Sequence, residues 1–355
     1  MQDDASPAEL PAMIESIAGM TRSRDRHELD VALAYLIASC FRAEEIAIVK
    51  LHGAAQQRRA RLSLRWRSGD RLPPLVREER DEDLLSIDAF PAGRAALASG
   101  EGWACVQAHP APARCCAFVY RIDTEPAGWA QLVVDRVHPP ALRELLGLIA
   151  IYGNHLTVID AGERDTLTGL LNRRSFDVVF GRRLDALALE GARAPGERRE
   201  RVSTHAAPRW LAVMDIDHFK RINDRFGHLY GDEVLVMIGQ LMRRELRISD
   251  QVFRFGGEEF VVLLAPTPAT QVHAVLDRLR ESVAAHVFPQ VGDVTVSIGY
   301  TCVCASDSPS DAFGRADDAL YRAKDAGRNC TVAADPLDPA TSEKARVLHS
   351  DADLF

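Results

Sequence analysis

The run that most constrains this chain is Val252-Phe-Arg-Phe255, then Gly256-Gly257-Glu258-Glu259, then Phe260-Val-Val-Leu-Leu264. Two apolar, β-branched and aromatic runs flanking a glycine-containing turn read as a β-hairpin with two carboxylates at its tip. A third run of strand length, Trp210-Leu-Ala-Val-Met-Asp-Ile216, ends in Asp215 and is followed by Asp217. Laid beside the hairpin, it brings acidic side chains from two strands to one edge of a sheet. Around these strands the period becomes helical. Asp165–Leu189 reads as a helix, and Gly231–Leu246 carries Val234, Leu235, Ile238, Leu241, Met242 and Leu246 at helical spacing. Ala274–His286 is a further helix, Thr295–Thr301 a strand, and Ala312–Ala326 a helix stopped by Gly327. The order βααββαβ, closed by that last helix, predicts an α+β, ferredoxin-like domain with an antiparallel core sheet.

The N-terminal half has a different rhythm. A helix over Asp30–Phe41 precedes strand candidates at Ile46–Leu51 and Ala60–Trp66. A helix over Ser86–Ser99 follows, then strands at Trp103–Gln107, Cys115–Arg121 and Trp129–Asp135. This predicts a second α+β domain, and 355 residues suit two. Between them Pro139-Pro140 opens a helix in which Leu142, Leu145, Ile149, Tyr152, Leu156 and Ile159 alternate steps of three and four. That spacing serves either a coiled-coil seam between two copies or a helix packed on its own domain. The expected organisation is a first domain over 1–138, a connecting helix over 139–164, a second domain over 165–333 and a tail over 334–355. Glu190–Pro208, rich in Arg, Glu, Gly and Pro, reads as a solvated loop.

Charge and composition exclude several classes. A formal charge of -8 offers no global attraction to nucleic acid or anionic lipid, although a small phosphorylated ligand can still be held locally. The longest apolar runs, Val31–Phe41 and Leu145–Ile151, fall short of the roughly 18 to 20 residues of a membrane helix, so no membrane partner is expected. The acidic start, Met1-Gln-Asp-Asp-Ala-Ser, has no secretory pattern, and the expected location is cytoplasmic. Seven cysteines without CxxC spacing predict reduced thiols. Cys105, His109, Cys115 and Cys116 fall close together, and core packing explains them better than a metal or redox sensor.

Converging carboxylates suit Mg²⁺, which takes hard oxygen ligands and commonly binds one or two carboxylates together with substrate phosphates. Gly256 and Gly257 let a triphosphate approach the backbone closely; the alternative is an ordinary polar hairpin tip. Lys220, soon after the carboxylates, can neutralise phosphate oxygens. Asn223 and Asp232 offer an amide and a carboxylate, the pair that reads a guanine edge, although Asp232 also suits a helix N-cap and Asn223 a turn.

Six motifs, in order, carry a resemblance: Asp165-Thr-Leu-Thr-Gly-Leu-Leu-Asn-Arg-Arg174, Asp215-Ile-Asp-His-Phe-Lys220, Asn223-Asp224, Gly227-His228, Gly231-Asp232 and Gly256-Gly-Glu-Glu-Phe260. Together they resemble the GGDEF family of diguanylate cyclases. The resemblance implies a palm-type fold and condensation of two GTP into cyclic di-GMP and two pyrophosphates across a homodimer. It implies that Asp215, the Ile216 carbonyl and Glu258 hold Mg²⁺, with Mn²⁺ the alternative ion. Glu258 would act as general base, with Glu259 beside it and Lys220 on phosphate. Asn223 and Asp232 would read guanine near His228, and Lys324 and Arg328 would contact phosphates. Arg247-Ile-Ser-Asp250, upstream of the hairpin, resembles the family's inhibitory product site, with Arg254, Arg278 or Arg280 completing it. The N-terminal pattern, with Ala95-Ala-Leu-Ala-Ser-Gly100-Glu, resembles a GAF sensor domain, and the connecting helix then reads as a signal relay. The other readings are a catalytically silent nucleotide receptor and a cyclase of relaxed nucleotide choice. No Glu-Ala-Leu run or HD motif follows, which speaks against a fused phosphodiesterase.

Overall fold

Alternating strand residues point to opposite faces of a sheet, so each strand feeds two apolar layers. The computed structural model shows this twice. It describes residues 9–41, 43–53, 58–70, 83–108, 113–135, 139–191 and 207–334, and the chain divides into two units, Met1–Gly162 and Glu163–Phe355.

The first unit comprises α1 (Glu9–Met20), α2 (Arg26–Phe41), β1 (Glu45–His52), β2 (Arg59–Arg67), β3 (Leu85–Ser86), α3 (Pro91–Ala98), β4 (Trp103–Gln107), β5 (Arg114–Ile122), β6 (Glu125–Val134) and α4 (Pro139–Glu163). Its strands form one antiparallel sheet in the order β3-β2-β1-β6-β5-β4. Residues of α2 and α4 cover one face in a core with Leu33, Ile37, Ile48, Phe118, Leu132 and Tyr152. On the other face Ala92 and Ala96 of α3 pack with Val49, Ala117 and Trp129.

Four expectations need correction here. Leu145, Ile149, Tyr152, Leu156 and Ile159 are all buried in this unit's own core, so the stripe read as an inter-copy seam is already covered. Pro140–Glu163 is also long and apolar enough to cross a membrane by length and composition, with Leu145, Leu148, Ile149, Tyr152, Leu156 and Ile159 buried and Ile151 and Val158 exposed. The helix expected over Ser86–Ser99 starts at Pro91, after a short strand and a 3₁₀ turn over Ile87–Ala89. Cys105 and Cys116 form a disulfide rather than two thiols. They are direct partners in the β4/β5 ladder, so strand register, invisible as a sequence spacing, brings them together. His109, most of the Glu190–Pro208 stretch and nearly all of the 334–355 tail lie outside the described residues.

The second unit comprises β7 (Leu171–Asn172), α5 (Arg173–Gly191), β8 (Arg209–Ile216), α6 (Phe219–Phe226), α7 (His228–Glu245), β9 (Gln251–Gly256), β10 (Glu259–Leu264), α8 (Ala269–Ala284), β11 (Val287–Phe288), β12 (Gly292–Asp293), β13 (Val296–Val303), α9 (Pro309–Asp325) and β14 (Thr331–Ala333). Its main sheet runs β14-β13-β8-β10-β9-β7. The four central strands are antiparallel, the ferredoxin-like order, while β14 and β7 add parallel edges. One face carries Met214, Ile216, Phe260 and Ile298 into a core with α7 and α8. The other carries Val213 and Val261 against Phe176 and Phe180 of α5 and Ala316 and Leu320 of α9.

The helix expected from Asp165 begins only at Arg173. The Asp165 carboxylate accepts from the Thr168 N–H at 2.8 Å and its hydroxyl at 2.7 Å, and Gly169 takes φ +67°. Short polar side chains that bond the local backbone compete with helix, and here they make a turn.

Candidate active site at the carboxyl end of β8

Register builds the acidic corner. Asp215, the penultimate residue of β8, is the ladder partner of Glu259, the first residue of β10, so both side chains share the face that packs on α9. Between β9 and β10, Gly256 at φ +150° and Gly257 at φ +50° make a turn that a side chain at either position would strain, and it leaves Glu258 at the tip. Ile216 turns its side chain into the apolar core on the opposite face, so only its backbone faces this chemistry.

Burial makes this corner electrostatically costly. Asp215 is 6% exposed, and desolvation raises its pKa even though Lys324 of α9 places Nζ 2.9 Å from Oδ1. Glu258 is raised by burial and then by the charge on Asp215. Glu259 is raised by burial, then by Asp317 and Asp215. Three carboxylates held above their usual range beside one lysine attract a further cation. Among the described residues no group of three or more His, Cys, Asp or Glu side chains forms a metal cage. A divalent ion here would take the Asp215 and Glu258 carboxylates, the Ile216 carbonyl and the oxygens of a bound nucleotide. That donor set fits Mg²⁺, which usually keeps ligands from outside the protein.

The other expected residues fall on neighbouring elements. Lys220 is exposed on α6, and Arg328 lies in the turn after α9, where its charge acts on Asp215. Asn223 lies within α6, and His228 and Asp232 lie in the first turns of α7. The alternatives for Asn223 as a turn residue and Asp232 as an N-cap are therefore set aside, since the N-cap of α7 is Gly227 at φ +89°. Gly231 fixes this corner: a Cβ there would stand 2.0 Å from Asn223 Oδ1.

Around the RxxD run, Asp250 is buried and accepts from the Arg247 N–H and the Ala265 N–H, each at 2.9 Å. It clasps the entry to β9, while Arg247 is exposed. Arg278, also exposed, donates to the Glu245 carbonyl at 3.1 Å. Arg254 and Arg280 are engaged elsewhere. Arg254 forks between the Asp165 carboxylate, at 3.1 and 3.2 Å, and the Gly257 carbonyl, at 3.2 and 2.9 Å. Arg280 binds Asp277 and Asn329. The Arg254 fork, which ties the turn at Asp165 to the residue before Glu258, was not legible in the sequence. An arginine in a strand names no partner.

The family model "Diguanylate cyclase, GGDEF domain" matches residues 163–330. Diguanylate cyclase DgcP of Pseudomonas aeruginosa is 44% identical over 168 residues, 46% of this chain and 23% of that protein. Diguanylate cyclase DgcM of Escherichia coli K12 is 39% identical over 174 residues, 49% of this chain and 39% of that protein. The chain thus spans less than half the length of either curated relative. The crystal structure of the GGDEF domain of DgcB from Caulobacter crescentus in complex with c-di-GMP is 33% identical, with 49% of this chain and 94% of that one covered at a TM-score of 0.42. The C-terminal unit thus carries, over residues 163–330, a GGDEF domain similar to those of diguanylate cyclases.

Proposed function

We propose that the chain condenses two GTP into cyclic di-GMP with release of two pyrophosphates. The observation that carries this reading is the register pairing of Asp215 with Glu259 beside the Gly256-Gly257-Glu258 turn, with Lys324 on Asp215. Glu258, at the tip of the hairpin turn beside Asp215, takes the proton of a GTP 3′-hydroxyl. The freed oxygen bonds to the α-phosphorus of a second GTP, and the bond from that phosphorus to the bridging oxygen of the pyrophosphate breaks. Lys220, Lys324 and Arg328 offset the charge on the phosphates, Asn223 and Asp232 with His228 select guanine, and Glu259 keeps the corner anionic. Cyclases of this family depend on a divalent metal. Mg²⁺, or Mn²⁺ in its place, would be held by Asp215, the Ile216 carbonyl and Glu258, and would stabilise charge developing on phosphate oxygens.

One C-terminal unit offers one such corner, so turnover needs two copies face to face, as a homodimer. The N-terminal unit, a six-stranded sheet with helices on both faces, is read as the GAF-like sensor that sets their geometry through α4, and the cell compartment is the cytoplasm, where GTP is made. Exposed Arg247 and Arg278, with Asp250 holding the turn between them and β9, are read as a product site that limits turnover.

The test is incubation with GTP and Mg²⁺, products identified by chromatography and mass, for wild type, Glu258→Ala and Arg247→Ala. Cyclic di-GMP from wild type and not from Glu258→Ala supports the cyclase. Nucleotide binding without product from wild type leaves a silent receptor or an unstimulated sensor, and binding of labelled cyclic di-GMP to wild type and Arg247→Ala then becomes the deciding measurement. Added cyclic di-GMP should slow wild type and leave Arg247→Ala several-fold faster; equal inhibition removes the product site.

A further inference from the structure

Asp217 stands two residues beyond Asp215 and is equally buried, 6% exposed, yet protein donors fill its carboxylate. The Thr295 hydroxyl donates to it at 2.6 Å, the Ser297 hydroxyl at 2.7 Å and the backbone N–H of Asn329 at 3.0 Å. Its own N–H donates to the Thr295 carbonyl at 2.9 Å. The Ser297 hydroxyl comes from the start of β13 and the Thr295 hydroxyl from the residue just before that strand, and the amide comes from the turn that follows α9.

That turn requires restraint. Gly327, Arg328 and Asn329 all take positive φ, +115°, +67° and +42°, and each non-glycine residue held there costs roughly 1 kcal/mol or more. The Arg328 N–H returns to the Ala323 carbonyl at 3.1 Å. The Asn329 side-chain oxygen accepts from Arg280 Nη1 at 3.0 Å, and Arg280 is itself locked by Asp277 at 2.6 and 3.1 Å. Arg328 stands between the anchors at Ala323 and Asp217, its side chain exposed and its charge acting on Asp215.

We propose that Asp217 is a positioning residue: its carboxylate pins the 327–329 turn through the Asn329 amide and so directs the Arg328 guanidinium toward the phosphate end of a bound nucleotide. The aim given to Arg328 rests on the nucleotide reading of the site; the pinning of the turn does not. A carboxylate suits the task because it accepts several hydrogen bonds at once, and bonds to a charged acceptor are about twice as strong as neutral ones.

The experiment uses the full chain with Asp217→Ala, Asp217→Asn, Thr295→Val, Arg328→Ala and the Asp217→Ala/Arg328→Ala pair. Two quantities are read: amide hydrogen exchange at residues 327–330 without nucleotide, and affinity for a non-hydrolysable GTP analogue with Mg²⁺. Exchange at Asn329 should quicken about tenfold or more in Asp217→Ala, as expected for loss of a charged hydrogen bond, and Asp217→Asn should recover part of the protection. Analogue affinity should fall in Asp217→Ala by the same factor as in Arg328→Ala, with no further fall in the pair. Unchanged exchange at 327–330, or losses that multiply in the pair, overturns the proposal. If Asp217→Ala does not fold, Thr295→Val, which keeps the charge and removes one donor, must show the same pattern in smaller measure or the proposal falls. Failure of wild type to bind the analogue overturns the nucleotide reading alone, since exchange reports on the pinning without it.

Discussion

Glu258 is held in a state its surroundings oppose. Burial and the Asp215 charge raise its pKa in the folded protein, so between the ordinary value and the raised one the native state binds more protons than the unfolded chain. Stability therefore falls as pH rises through that window and stays lowered above it. Asp215 and Glu259 act in the same direction. Glu258→Gln removes one such term. Without metal, the variant should melt higher than wild type at neutral pH, and the gap should close as pH falls toward the ordinary glutamate value of 4.5. Adding Mg²⁺ should raise the wild-type melting temperature more than that of the variant. Turnover should fall by roughly 10²- to 10⁴-fold, the usual worth of a general base. Melting curves against pH, with and without Mg²⁺, check the electrostatic part; a variant no more stable than wild type at neutral pH would count against it.

At the scale of elements, the α6–α7 corner depends on the absence of one atom. The contact between the Gly231 position and Asn223 Oδ1 leaves no room for a methyl group, so Gly231→Ala must push Asn223 aside. The expected result is a KM for GTP raised about tenfold, as for a lost hydrogen bond to a base edge, with a much smaller change in kcat because Asp215 and Glu258 lie on β8 and the hairpin. Steady-state kinetics check it, and a fall in kcat at unchanged KM would contradict the assignment of Asn223. Most elements of the second unit were legible because each strand and long helix carries its own period: Leu211 to Met214 in β8, Val234 to Met242 in α7, and the hairpin announced by Gly256-Gly257. Side-chain roles that depend on tertiary partners were not legible. Asp217 shares the Asp215-Ile-Asp pattern, and only the positions of Ser297 and Asn329 show that its carboxylate is already occupied. Asp165 looked like a helix start and proved to be the hub of a turn. In α4 the heptad spacing was real, but spacing cannot say whether the stripe meets a second copy or its own sheet, and the core around Phe118 and Tyr152 claims it.

At the scale of the whole molecule, each unit carries its own apolar cores, and the disulfide belongs to the first. Closing the loop between Cys105 and Cys116, an 11-residue separation, contributes about 2 to 3 kcal/mol on a loop-entropy account. Reduction, or Cys105→Ser, should therefore speed amide exchange in β4 and β5 while leaving β8 and β10 unchanged. Exchange monitored by mass spectrometry checks this, and equal loosening of both units would contradict it. The division at Gly162/Glu163 also has a meaning for ancestry. A genetic crossover there would sever neither hydrophobic core, and it would leave Asp165, Arg254 and the glycine turn on the same fragment. Recombination at this point can hand the C-terminal unit to a new upstream module as an intact inheritance, whereas a breakpoint a dozen residues later would leave Arg254 without its carboxylate.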